Sequence, residues 1–196
     1  MDSSELINTK LSELVNVLSN FVSTNKKFII EAALLISEAF SNGNKLLICG
    51  NGGSAADSQH LAAEFVSSFS RDIKRKALSA IALTTDTSII TAFSNDYNFD
   101  EVFARQVEAH GKSGDILITL TTSGSSRNCI NAVLQANKLN MTTIAFTKKT
   151  ALISNEVDIA IEVPSNNTQH IQECHVFSYH LLTEIVENSL FRKEST

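Results

Sequence analysis

The sequence predicts an α/β fold: a three-layer, doubly wound sandwich on a five-stranded parallel sheet, preceded by a pair of helices. Three observations carry this reading. Five short, nearly continuous apolar runs recur from residue 46 onward, each followed by a polar loop and a stretch of helical periodicity. Runs without polar alternation suit strands covered on both faces, as in a parallel sheet held between helices. The first forty residues show three- and four-residue apolar spacing and no strand-like run.

In chain order, Leu11, Leu14, Val15, Leu18 and Phe21 share one helix face, and Phe28, Ile29, Ala32, Leu35 and Ile36 define a second helical run over 26–41. Together they form an expected helical hairpin outside the main fold, a 1–43 extension that Asn42-Gly43-Asn44 ends with residues tolerant of left-handed backbone. The predicted strands are Leu46–Cys49, Ala80–Leu83, Ile116–Leu120, Thr143–Phe146 and Ile159–Val163, and a final helix runs from Thr168 to about Glu187. The α/β core spans 44–190, and the whole of 1–196 reads as one domain.

Composition narrows the function. With 16 basic and 21 acidic residues the net charge is −5, so a basic nucleic-acid groove is not expected. The chain is 43% hydrophobic and 19% charged, enough apolar content for a sizeable core. No apolar run approaches the roughly 18 residues of a membrane span, and MDSSELINTK has neither a basic nor an apolar leader region, so a cytoplasmic protein is expected. Cys49, Cys129 and Cys174 lie far apart and form neither a disulfide framework nor a thiolate metal site.

Open parallel sheets bind ligands beyond the carboxyl ends of their strands, and two loops there are unusual. Gly50-Asn51-Gly52-Gly53-Ser54 follows the first strand and opens a helix, so backbone N–H groups can approach a ligand closely. It is neither GxGxxG nor a P-loop, which argues against a nucleotide cofactor. Thr121-Thr122-Ser123-Gly124-Ser125-Ser126-Arg127-Asn128 follows the third strand. Its hydroxyls, at the start of a helix, suit phosphate oxygens without requiring a lysine. On the helix after the first loop, His60 and Glu64 are four apart and roughly 40° around the helix, a spacing that suits a metal such as zinc as well as a solvated face. Asp57 stands one turn before them. The last helix offers Gln172 and His180 on one half-face, whereas His175 points away, and Glu173 and Glu184 stay open as alternatives. His110 and His170 read as surface or capping residues. Asn95-Asp96-Tyr97 reads as a turn that could reach a sugar hydroxyl. Nothing in the spacing proves that the two ligand-bearing helices meet.

Taken together, GNGGSAADSQHLAAEF, AIALTTDTS, NDYNFDEVFARQVEA, GDILITLTTSGSSRN and VPSNNTQHIQECHVFSYHLL resemble the sugar isomerase (SIS) fold, and within it the phosphoheptose isomerase family. The resemblance covers most of 45–187 and the helical extension. It implies an aldose–ketose isomerase that converts sedoheptulose 7-phosphate to D-glycero-D-manno-heptose 7-phosphate for bacterial surface heptose such as that of lipopolysaccharide. It implies zinc, one per subunit, held by His60, Glu64, Gln172 and His180, with Glu64 and His180 also the acid–base pair. Asn51, Gly52, Gly53, Glu64, Asn95, Asp96 and Gln172 match sugar-phosphate contacts, and Thr121, Thr122, Ser123 and Ser126 match the phosphate cradle. A homotetramer with sites between subunits is implied too, with neither nucleic-acid nor membrane partners. The chain departs from the family pattern at Ser125, where Asn is usual, at Arg127, at Thr147–Thr150, which lacks a glycine-rich run, and at Gln169, where some members carry Asp.

Chemically, the implied reaction moves a proton from C1 of a ketose to C2 through an enediol, while O1 and O2 exchange a proton. A carboxylate and an imidazole suit this near neutral pH, and a metal can polarise the carbonyl. The alternative is a non-catalytic SIS-domain protein that binds a sugar phosphate or the replication initiator. Such a protein could dispense with the acid–base and metal residues.

Overall fold

A computed structural model describes residues 2–192. Helix α1 (Ser3–Ser41) leads into β1 (Leu46–Gly50), α2 (Gly53–Val66), β2 (Ala80–Ala82), α3 (Thr87–Asp96) and α4 (Val102–His110). Then come β3 (Ile116–Thr121), α5 (Arg127–Lys138), β4 (Thr142–Lys148), β5 (Ile159–Val163) and α6 (Thr168–Phe191). The strands form one parallel sheet in the order β2-β1-β3-β4-β5. All five predicted strands are present, and β3 and β4 extend past their expected ends.

Pleating divides each strand between two cores. Leu46, Ile48, Ile116, Ile118, Ile144, Phe146 and Ile161 face α1, α2 and α6, burying Phe21, Ile36, Leu61, Phe65, Ile171 and Tyr179. Leu47, Cys49, Leu117 and Ala145 face the other way, toward Val102 and Val107 of α4 and Cys129, Ala132 and Val133 of α5. The strand order reverses between β1 and β3, the switch point where such sheets leave a crevice. The two loops singled out above leave these two strands.

One expectation is corrected. The helical pair is a single unbroken helix of 39 residues, and its second half is part of the core layer. No Gly or Pro lies between the two apolar runs. The interruption is in the stripe alone: Asn25 is buried. Its amide donates to the Phe21 and Glu162 carbonyls at 3.0 and 2.9 Å, and its oxygen accepts from the Glu162 N–H at 2.9 Å. Asn25 thus satisfies the free edge of β5, a place where unpaired backbone groups need cover.

Candidate active site

The first loop depends on its glycines. Gly52 caps α2 with φ +57° and ψ −120°, a backbone state that side chains avoid. A Cβ on Gly53 would stand 2.6 Å from Nε2 of Gln172, so glycine here lets α6 close onto the start of α2. Helices α2 and α6 run side by side in the same sense. Gln172 Nε2 donates to Asp57 Oδ2 at 2.8 Å near their starts. One turn further along α2 and about two along α6, the His60 and His180 rings meet edge to face with centroids 5.1 Å apart. At the far end, Arg75 holds the Glu64 and Phe65 carbonyls of α2 and pairs with Glu187 of α6.

This register brings three of the sequence-predicted ligands together. Ligand atoms of His60, Glu64 and His180 lie within 4.8 Å of one another, and His60 Nε2 is 2.9 Å from Glu64 Oε1. They converge within one chain, so the meeting of α2 and α6 does not need a second subunit. The set is two nitrogens and a carboxylate oxygen, a donor set that zinc takes. His60 is 46% and Glu64 20% exposed at the side chain, so the cluster opens to solvent on one side. Burial, and then His60 beside it, hold the His180 imidazole below its ordinary pKa against the pull of Glu64. A neutral imidazole is the form that can ligate a metal or accept a proton. Gln172 bonds to Asp57 rather than to the cluster. An ionised carboxylate only accepts hydrogen bonds, so Asp57 takes the NH2 of that amide, and the carbonyl oxygen has no hydrogen-bond donor among the described residues. Burial raises the Asp57 carboxyl, opposed by the Gln172 amide and by His60.

The second loop places the Thr121, Ser123 and Ser126 hydroxyls within 3.3–3.4 Å of one another at the start of α5. Gly124, at φ +65°, lets the loop turn tightly there, and its N–H donates to Thr121 Oγ1 at 3.1 Å. Thr122 is half-buried beside them. The two loops are tied by a reciprocal amide pair. Asn51 and Asn128 each donate Nδ2 to the other's Oδ1 at 2.8 Å. Side-chain hydrogen bonds thus join the two loops at Asn51–Asn128 and the two helices at Gln172–Asp57.

The remaining expectations divide. Asn95 and Asp96 are exposed at the end of α3 and hydrogen-bond to each other at 2.8 Å, and to no other site residue among those described. His175 points away from His180, as its spacing implied. It is buried against Phe146, and burial lowers its pKa to about 4. Glu173 turns toward His170, and Glu184 is exposed. His110 is exposed in the last turn of α4. His170 corrects the surface reading: it is buried, between Glu173 at 2.9 Å and Glu13 of α1 at 3.3 Å. Sequence reasoning missed Tyr179, Asn128 and the Arg75–Glu187 pair. Only Asn128, adjoining the hydroxyl-rich loop, carried a local signal.

A family model described as the SIS domain matches residues 11–148. The phosphoheptose isomerase of Thermodesulfovibrio yellowstonii is 47% identical over 192 residues, 97% of this chain and 94% of that protein. That of Aquifex aeolicus is 48% identical over 176 residues, 89% and 91% of the two. Among solved structures, the phosphoheptose isomerase of Neisseria gonorrhoeae superposes with TM-score 0.90 at 37% identity, covering 95% of this chain and all of that one. The enzyme from Francisella tularensis gives 0.91 at 36%, with 96% and 100% covered. With the two loops, the switch point and the His60–Glu64–His180 cluster in place, these likenesses settle the kinship: the chain belongs to the phosphoheptose isomerase family of SIS-domain proteins.

Proposed function

We propose that this protein interconverts sedoheptulose 7-phosphate and D-glycero-D-manno-heptose 7-phosphate. The observation that supports this most is the His60–Glu64–His180 cluster, two of whose members stand on the helix that the first loop opens, with that loop tied by Asn51–Asn128 to the loop of the hydroxyl triangle. Thr121, Thr122, Ser123 and Ser126 take the phosphate, where the N-terminus of α5 favours an anion. Asn51, Gly52 and Gly53 line the sugar through backbone and amide, and Asn95 and Asp96 reach its hydroxyls. Gln172 and Glu64 contact the sugar end.

Glu64 and His180 are the acid–base pair. One group takes a proton from C1 of the ketose to form the enediol and a proton is delivered to C2, while the other moves a proton from O1 to O2; the return reaction runs both transfers backwards. Both groups sit at a partly open cluster, which lets a sugar reach them while the helices fix their spacing. A metal ion fits the donor set: His60, Glu64 and His180 would hold zinc, one per subunit, with Gln172 as the fourth ligand that the family resemblance implies. When bound, zinc supplies a Lewis acid for the carbonyl and enediolate oxygens.

The family assembly is a homotetramer. An exposed apolar stripe on α1 supports burial against another copy: Ile7, Leu11 and Val15, spaced by four residues, are 67%, 59% and 52% exposed. Among the described residues no helix is long and apolar enough to cross a membrane. We place the enzyme in the cytoplasm as one domain over 1–196, supplying heptose for surface lipopolysaccharide, without nucleic-acid or membrane partners.

The test is incubation of the purified protein with sedoheptulose 7-phosphate, following aldoheptose 7-phosphate. Wild type converts it, while Glu64→Gln and His180→Gln lose conversion with unchanged circular dichroism. A wild type that binds sugar phosphate or a replication initiator without converting the sugar is the non-catalytic SIS protein instead.

A further inference from the structure

Tyr179 is fully buried, one residue before His180 on α6, and belongs to the apolar cluster between the helices and the sheet. Its hydroxyl is nevertheless 3.1 Å from Nδ1 of His60, on the facing helix. The other nitrogen of that ring, Nε2, is the one facing Glu64. The Tyr179 ring also stands edge-on to both imidazoles, with centroids 5.6 Å from His60 and 4.8 Å from His180 and interplanar angles of 77° and 78°. A buried phenol needs a polar partner. Here that partner is a candidate metal ligand, and two ligand rings lean on one fixed aromatic wall.

From this geometry we infer that Tyr179 is a positioning residue for the metal centre, fixing which nitrogen of His60 faces the ion. The inference rests on the metal reading given above. An imidazole that ligates through Nε2 carries its proton on Nδ1, and that N–H needs an acceptor. The Tyr179 oxygen stands where that acceptor must be. Its bond holds the ring against rotation about χ2, which would otherwise exchange the two nitrogens; the phenol can donate or accept, so it serves as the Nδ1–H acceptor once Nε2 turns to an ion. The ring of Tyr179 limits the same rotation in His180 by contact alone, so removing the hydroxyl acts on His60.

The experiment compares the full-length wild type with Tyr179→Phe, which removes the hydroxyl and keeps the ring. Chelator-stripped protein is titrated with zinc against a chromophoric competitor, and histidine side-chain ¹⁵N spectra are recorded with and without zinc. The variant is expected to keep its circular dichroism and to bind zinc about 10- to 100-fold more weakly, the usual effect of losing a partner behind a ligand. In the zinc-loaded wild type the His60 Nδ1 proton is expected to be hydrogen-bonded, and in the variant that hydrogen bond is expected to be lost. Zinc affinity within twofold of wild type overturns the inference and leaves the metal reading standing. A wild type that takes up no zinc overturns both. Should the variant not fold, the zinc-loaded wild type decides alone. A protonated, hydrogen-bonded Nδ1 on His60 supports the inference, and a metal-bound Nδ1 overturns it.

Discussion

Replacing Glu187 by Gln tests how α2 and α6 are locked in register. Arg75 Nε donates to Glu187 Oε1 at 2.6 Å, and its other nitrogens donate to the carbonyls of Glu64, Phe65 and Lys76 at 2.7, 2.8 and 3.1 Å. Glu187 also accepts from the Phe69 and Ser70 N–H groups at 3.3 and 2.9 Å. The two side chains are only 1% and 3% exposed, so water screens them little. Gln keeps the shape and removes the charge, leaving the guanidinium buried without its counter-ion. Breaking such a pair from one side costs about 3–5 kcal/mol. In a chain of this length each kcal/mol moves the midpoint by roughly 2–4 °C, so Tm falls by about 6–20 °C. Differential scanning calorimetry reads this directly. A Tm within about 2 °C of wild type refutes the claim that the pair is unscreened. Because Arg75 holds the Glu64 carbonyl, zinc affinity is expected to weaken in the same variant.

Three further outcomes follow from other parts of the structure. Asn128→Ala strands the Asn51 amide and separates the two loops; stability falls by about 1–3 kcal/mol, and steady-state kinetics show KM for the sugar phosphate rising more than kcat falls. A Cβ at Gly124 would stand 2.2 Å from Ala151 Cβ and 2.6 Å from Thr147 Oγ1 at φ +65°, so Gly124→Ala displaces the hydroxyl triangle and raises KM, with about 1–3 kcal/mol of strain seen in urea melts. The Glu173 and Glu13 carboxylates raise the His170 pKa against the lowering effect of burial. A group raised in the folded state stabilises fully below its unfolded pKa of about 6.5 and loses that contribution as pH rises through the folded value. Denaturant midpoints of wild type are thus expected to fall relative to His170→Gln as pH rises above about 6.5, and parallel pH profiles contradict the assignment.

Much of the fold was legible because parallel strands buried on both faces must be nearly continuously apolar, and Leu46–Gly50 and Ile116–Thr121, interrupted only by small threonines, are buried at every residue. The α1 error came from reading a break in the stripe as a break in the backbone; Asn25 is polar because it pairs with an edge strand that lies 137 residues away. His60 and Glu64 were readable as neighbours on one helix. Their meeting with His180 was not, since no local spacing records that α2 and α6 lie side by side. Tyr179 sits in an apolar helix face and reads as core, which it also is; only its hydroxyl, aimed across to His60, gives the second role. Arg75 and Glu187 were unremarkable charges until the fold buried them together. Family resemblance supplied the pairing of the two helices, and the structure gives its physical basis in the close approach of Gln172 to Gly53.

The most direct test of the account is a crystal of the zinc-loaded protein with sedoheptulose 7-phosphate, analysed by anomalous scattering at the zinc edge. One peak is expected between His60, Glu64 and His180 of a single chain, with the phosphate on Thr121, Ser123 and Ser126 and the C1–C2 edge against Glu64 and His180. Zinc held by other residues, or a phosphate seated away from the hydroxyl triangle, contradicts it.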